Sequence, residues 1–216
     1  DRSVSRGLGD VYKRQEYGEK KLHYQLIPGN NKETDPTAPV DTYKTFLLRN
    51  GGNDLDYAKF RDNLIQQLFA DRDIATQSAR PAIVFINGEY WGIYAIQEDY
   101  SEHYLAEHFD VDKDQVILIK RGELEEGTED DQQIYASFAT WIRDTDFSDA
   151  GNYEKLCQQM DVQSFIDEYC VTILTAGEDS LTEDNNWRIW RTRDTDPSNP
   201  YACLLYTSPS PRDTER

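Results

Sequence analysis

The chain has 216 residues, 12% aromatic and 30% charged, with 41 acidic against 23 basic residues and a net charge of −18. Such a charge opposes nonspecific binding to DNA, RNA or anionic membranes and favours basic partners. The aromatic content and periodic apolar segments exclude intrinsic disorder, and the length suits one domain or most of one.

The two ends are expected to be foreign to the fold. DNA encoding Ser5 to Gln15, reverse-complemented and read in a shifted frame, encodes Cys203 to Asp213. Inverted-complement ends serve no natural protein and mark a sequencing adapter translated on both sides. Residues 1–15 and 203–216 are then adapter-derived, and residues 16–202 are a partial domain cut at both ends. On this reading the want of a leader or a membrane span carries no information on location.

Lys20 to Ile27 alternates and reads as a strand, Asn30 to Pro39 as a polar loop, and Thr42 to Arg49 as a second strand. Tyr57, Phe60, Leu64, Leu68 and Phe69 recur at helical spacing, with Arg61 and Asp62 on the same helix. Pro81 to Ile86 and Tyr90 to Gln97 flank Asn87-Gly88, a hairpin signal because both turn residues tolerate positive φ. Ser101 caps a short helix carrying Tyr104, Leu105 and Phe109. His103 and His108, five apart on that helix, do not share a face and read as surface residues.

Val116 to Lys120 is an apolar strand ending on a basic residue, and Glu123 to Asp131 is an acidic run read as a solvated loop, with a site for a basic substrate as the alternative. Three helices follow, marked by Ile134, Phe138, Trp141 and Ile142, by Tyr153, Leu156 and Met160, and by Val162 to Leu174. A last strand lies near Trp187 to Trp190. Cys157 and Cys170 sit in helical patterns without a Cys-x-x-Cys or Cys/His cluster, so neither zinc nor a disulfide framework is indicated. The order of elements predicts an α+β fold with a sheet-rich part followed by a helical part. Tyr90, Trp91, Tyr94, Trp187 and Trp190 fall at strand positions, where packing on sheet faces explains them more simply than sugar or base stacking.

The cluster with most chemical potential runs from Glu178 to Trp190: an acidic loop after a helix, then Asn185-Asn186 leading into an aromatic strand. Phosphoryl transfer needs an Asp to orient the attacking hydroxyl and a nearby oxygen ligand for a divalent metal. An Asp followed by an Asn at the head of the next strand has that logic, although Asp and Asn are also common turn residues.

Several segments in one order resemble the CotH-type (spore coat protein H) atypical protein kinase family. They are Phe46 to Asp54 (FLLRNGGND), Phe60 to Leu64 (FRDNL), Arg80 to Glu98 around the hairpin, and Tyr169 to Arg191 around the Asn pair. The resemblance implies a divergent kinase-like fold, with ATP and Mg²⁺ (or Mn²⁺) used to phosphorylate Ser hydroxyls of a partner protein. It implies Asp179 as catalytic base, with Asp184 as the alternative, and Asn186 as metal ligand. Glu98 would pair with Lys120 and hold it on nucleotide phosphates, unless the two form an ordinary ion pair. Arg61 either faces phosphates or buttresses the hairpin through its stem, the second reading being favoured.

Two departures bear on this. Relatives carry Asn-x-Asp-Trp before the Asn pair where this chain has Glu178-Asp179-Ser180-Leu181. The family's second metal-binding Asp lies on a later strand, beyond the fragment, so the fragment is expected to be inactive even if its bacterial, metagenomic parent is a kinase. The excess of negative charge suits a basic, Ser-rich protein substrate. Spore coat, cell surface and secretion are all compatible with the resemblance. The alternatives are a noncatalytic secreted or cell-surface binding module on the same fold and a carbohydrate-binding module, which would require exposed coplanar aromatics.

Overall fold

The computed structural model describes residues 20–177, 186–194 and 198–207. In order they form β1 (Leu22–His23), β2 (Thr42–Tyr43), β3 (Phe46–Arg49), α1 (Arg61–Leu68), β4 (Ala79–Ile86), β5 (Glu89–Glu98) and α2 (Glu102–Phe109). There follow β6 (Val116–Lys120), β7 (Glu123–Glu126), α3 (Glu129–Asp144), α4 (Ala150–Cys157), α5 (Val162–Leu174), β8 (Arg188–Thr192) and β9 (Leu205–Tyr206). Helices and antiparallel sheets make this an α+β protein, as the sequence predicts. The strands form three sheets, ordered β1-β2, β3-β5-β4 and β7-β6-β8-β9.

The four-stranded sheet is the centre of the molecule. Its strand β6, Val-Ile-Leu-Ile-Lys, is buried at its first four positions. Val116 and Leu118 face one way, against Tyr104 and Leu105 of α2 together with Tyr100 and Trp190. Ile117 and Ile119 face the other, against Phe138 of α3, Met160 and Ile189. A strand covered on both faces reads as a continuous apolar run rather than an alternation.

Segment 203–207, expected to be foreign, packs against this sheet: Leu205 pairs with Trp190, and Leu204 and Leu205 are buried in the two clusters. Trp190 is fully buried, consistent with a packing role, whereas Tyr90 and Trp91 stand exposed on the hairpin.

The hairpin forms as the Asn87-Gly88 signal predicts. Both residues have positive φ (52° and 83°), and β4 pairs with β5 from Ile86↔Glu89 back to Ala79↔Gln97. The register shifts between Val84 and Phe85, leaving Trp91 as an extra residue beside Gly92, whose φ of 122° suits a bulge.

Other expectations change. The strand expected over 20–27 is confined to Leu22–His23. The strand expected over 42–49 divides at Lys44-Thr45, because β2 joins β1 whereas β3 joins β5. The acidic run is not a solvated loop. Arg121 (φ 54°) and Gly122 (φ 82°) make a two-residue turn that brings β7 onto β6. Asp131 then reaches back to the Thr128 amide at 2.8 Å and caps α3. Arg193 donates to both Asp131 oxygens (3.2 and 2.8 Å), holding this buried carboxyl below its usual range and tying α3 to the end of β8.

On α5, Glu168 is buried against the sheet with Thr172 Oγ1 donating to it at 3.1 Å. Burial pushes its carboxyl from the ordinary 4.5 up to about 7, Thr172 opposing the shift. The folded state therefore holds a proton there that the unfolded chain has already lost. The stability this contributes is full below about pH 4.5 and disappears as pH rises through 7. Glu168→Gln is predicted to match the parent at pH 5 and to exceed it at pH 8 by up to about 3 kcal/mol. Urea unfolding at the two pH values measures this; equal gains at both would show that Glu168 is ionised throughout.

Candidate active site

Glu98 ends β5 and is 2% exposed. Its Oε1 accepts hydrogen bonds from Asn30 Nδ2 (2.7 Å) and lies 2.8 Å from His108 Nε2, while Oε2 accepts from the Ser78 amide (2.9 Å). A buried carboxylate needs such partners, since leaving it unpaired costs several kcal/mol. This corrects two expectations. Glu98 is held by Asn30, Ser78 and His108 rather than by Lys120, and His108 is buried rather than on the surface. The reason is tertiary: the end of β5 points into the junction of β2, β4 and α2, where α2 supplies a histidine. Burial also raises the neighbouring Glu33 carboxyl, with His108 opposing and Glu98 adding to the shift.

Around Glu98 the polar atoms continue. Gln77 Nε2 donates to the Glu98 carbonyl (2.7 Å), Gln97 Nε2 donates to Gln77 Oε1 (3.0 Å), and Gln66 Oε1 accepts from the Gln77 amide (2.9 Å). Tyr100 donates to the Ala75 carbonyl (2.7 Å) and Tyr104 to the Thr76 carbonyl (2.6 Å). Burial raises both phenols, so they remain protonated donors. Tyr100 also lies 5.5 Å beneath the Arg188 guanidinium and so joins the Glu98 network to the four-stranded sheet.

Lys120 ends β6 and stands directly opposite Arg188 at the head of β8. Two like charges so placed repel. Glu125 offsets them: it accepts two hydrogen bonds from Arg188 (2.6 and 3.3 Å) and lies 3.7 Å from Lys120 Nζ. Glu125 reaches them because it is the extra residue of a bulge, Leu118 pairing with Glu126 and Ile119 with Leu124. Among the described residues the carboxylate accompanying Lys120 is Glu125.

Asn186 lies two residues before Arg188, at the same end of the sheet. Its backbone is left-handed (φ 63°), a conformation asparagine tolerates, and its buried Nδ2 finds no partner among the described residues. The structure thus groups Lys120 and Asn186 at one sheet end. Asp179 and its alternative Asp184 lie outside the described residues. Among the described residues no group of three His, Cys, Asp or Glu side chains could hold a metal. Magnesium requires oxygen ligands, and at this end of the sheet the side-chain oxygens of Asn186 and Glu125 are of that kind.

Arg61 belongs to a different arrangement. Its Nε is 3.0 Å from Asp54 Oδ1 and its guanidinium lies 4.9 Å over Tyr57. Asp54, itself 4% exposed, also accepts from the Ala58 and Arg61 amides (3.2 and 3.1 Å). The Asn-Gly-Gly-Asn-Asp segment thereby folds into the entry of α1, with Arg61 as its brace.

Over residues 15–201 the chain matches the protein family described as CotH kinase protein. No curated protein matches it.

Removing the Glu98 carboxylate leaves the Asn30, Ser78 and His108 groups facing each other without an acceptor. Glu98→Ala is predicted to cost about 3–5 kcal/mol, read as a lower urea midpoint at unchanged m-value. A loss below about 1 kcal/mol would mean that water replaces the carboxylate in the junction.

Proposed function

Because the chain belongs to the CotH kinase protein family, we propose that it carries a divergent kinase-like phosphotransferase site at the Lys120 end of the four-stranded sheet. The observation that carries this reading is the Lys120–Glu125–Arg188 cluster beside Asn186, whose buried Nδ2 has no partner among the described residues. In a chain of charge −18, two cations meeting at a strand end form a local attraction for polyphosphate. Glu125 then takes the part of the carboxylate that steadies a phosphate-binding lysine.

In this reading Lys120 and Arg188 bind the ATP phosphates and Asn186 Oδ1 would hold Mg²⁺ (or Mn²⁺), with Asp179, or Asp184 in its place, as the base. The metal, when bound, neutralises charge between the phosphates. Asp179 accepts the proton of a Ser hydroxyl as its oxygen bonds to the γ-phosphorus, and the bond to the β-phosphate oxygen breaks to release ADP. The acidic surface favours a basic, Ser-rich protein substrate. Glu98 supports the site through Tyr100 and Arg188 without touching the nucleotide, and Arg61 braces the loop before α1.

A noncatalytic binding module is the second reading. It is favoured by Ile83, Phe85, Tyr90, Trp91 and Ile93, all exposed on the hairpin. Phe85 and Tyr90 meet edge-on at 65°, so this surface does not offer the coplanar rings a carbohydrate platform needs.

Equilibrium ATP binding with and without Mg²⁺ separates the two. Lys120→Ala is predicted to weaken ATP about 10–100-fold in both conditions. Asn186→Ala should weaken it only when Mg²⁺ is present, and Asp179→Ala should leave binding intact. Absence of saturable ATP binding by the unsubstituted chain would leave the binding-module reading.

A further inference from the structure

A cavity of about 690 Å³ opens between α1, the start of β4 and residues 27–30. Its size is that of a small-molecule site. Its charge is the reverse of the chain's. Although acidic residues outnumber basic ones by 41 to 23, the residues lining it include Arg49, Lys59 and Arg80 and not one Asp or Glu. None of Glu98, Arg61, Lys120 or Asn186 lines it among the described residues.

Arg49 donates to Asp62 at 3.3 Å and is compensated. Arg80 and Lys59 have no carboxylate partner among the described residues. Arg80 pairs across the sheet with Ile96, so its side chain lies on the Ile96 face, which packs against Ile27 and Val40. There its Nε is buried without a hydrogen-bond acceptor. A buried guanidinium nitrogen in that state calls for an absent acceptor. Pro28 and Tyr94, the latter on the same face of the sheet as Arg80, supply apolar wall, and Asn63 and Gln67 also line the cavity.

We infer that this cavity binds a small phosphomonoester, its phosphate on Arg80 and its organic part along the Pro28–Tyr94 wall. A cavity lined by cations and by no carboxylate suits the charge of roughly −1.5 to −2 on a phosphomonoester at pH 7 better than the single charge of a carboxylate, and a planar guanidinium fits a phosphate in bidentate fashion. The inference is independent of the phosphotransfer reading, since the two sites share no lining residue among those described.

Isothermal titration of the full chain with phenyl phosphate tests it, with benzoate as the singly charged control. Phenyl phosphate is expected to saturate one site. Arg80→Gln should weaken it at least about 10-fold and Lys59→Gln several-fold, while Lys120→Ala leaves it unchanged. No saturable binding at millimolar ligand overturns the inference, as does unchanged affinity in R80Q or equal affinity for benzoate. Loss of binding in K120A with none in R80Q also overturns it, and leaves the phosphotransfer site standing as the anion site. Should R80Q fail to fold, the exposed Lys59 decides: weakened binding in K59Q supports the cavity, and unchanged binding overturns it.

Discussion

Glu98 carries a carboxylate into the interior at the point where three parts of the chain meet, and each part supplies one donor. Asn30 comes from the segment between β1 and β2, the Ser78 amide from the entry to β4, and His108 from α2. A charge that deep is tolerable only when all these contacts form together. The three-stranded sheet, the segment covering it and the helix beside it are thereby fixed to one another by a polar constraint, beside the apolar packing of Ile96 on Leu26, Ile27, Val40 and Tyr43. The amides of Gln66, Gln77 and Gln97 extend the constraint towards α1.

Apolar packing takes over in the four-stranded sheet, where β6 is covered on both faces. The two regimes meet at Tyr100, which donates to the backbone before β4 and lies beneath Arg188. A repulsive pair of cations at the end of a well-packed sheet persists because the bulge in β7 delivers Glu125 to both. The same arrangement that satisfies the fold leaves positive charge at the sheet end where Asn186 leads into β8.

Much of the fold was legible in the sequence because its cause is local. The Asn87-Gly88 turn, the Ser101 cap and the five-residue run of β6 each follow from conformational preference or periodicity over a few residues. So do the bounds of α5, which coincide with the Val162 to Leu174 periodicity. The site was less legible because its causes lie far apart in the chain. Nothing near Glu98 indicates that Asn30 and His108 will reach it. The charge pattern of residues 123–131 resembles a solvated loop until Arg188 and Arg193, more than sixty positions away, accept Glu125 and Asp131 as partners. The Arg121-Gly122 turn was the available local signal for β7, a glycine two residues past an apolar strand.

The β4–β5 hairpin has a consequence for the molecule's behaviour in solution. β4 is the outer strand of its sheet among the described residues, and its far half exposes Ile83, Phe85 and Ile86. Such an edge is a template on which a second chain can add a strand. Two features stand against self-association: Pro81, which removes one backbone donor near the start of the edge, and a net charge of −18 that keeps like molecules apart. Because only the second weakens with added salt, the colloidal stability of this protein is set by ionic strength more than by the strength of its core.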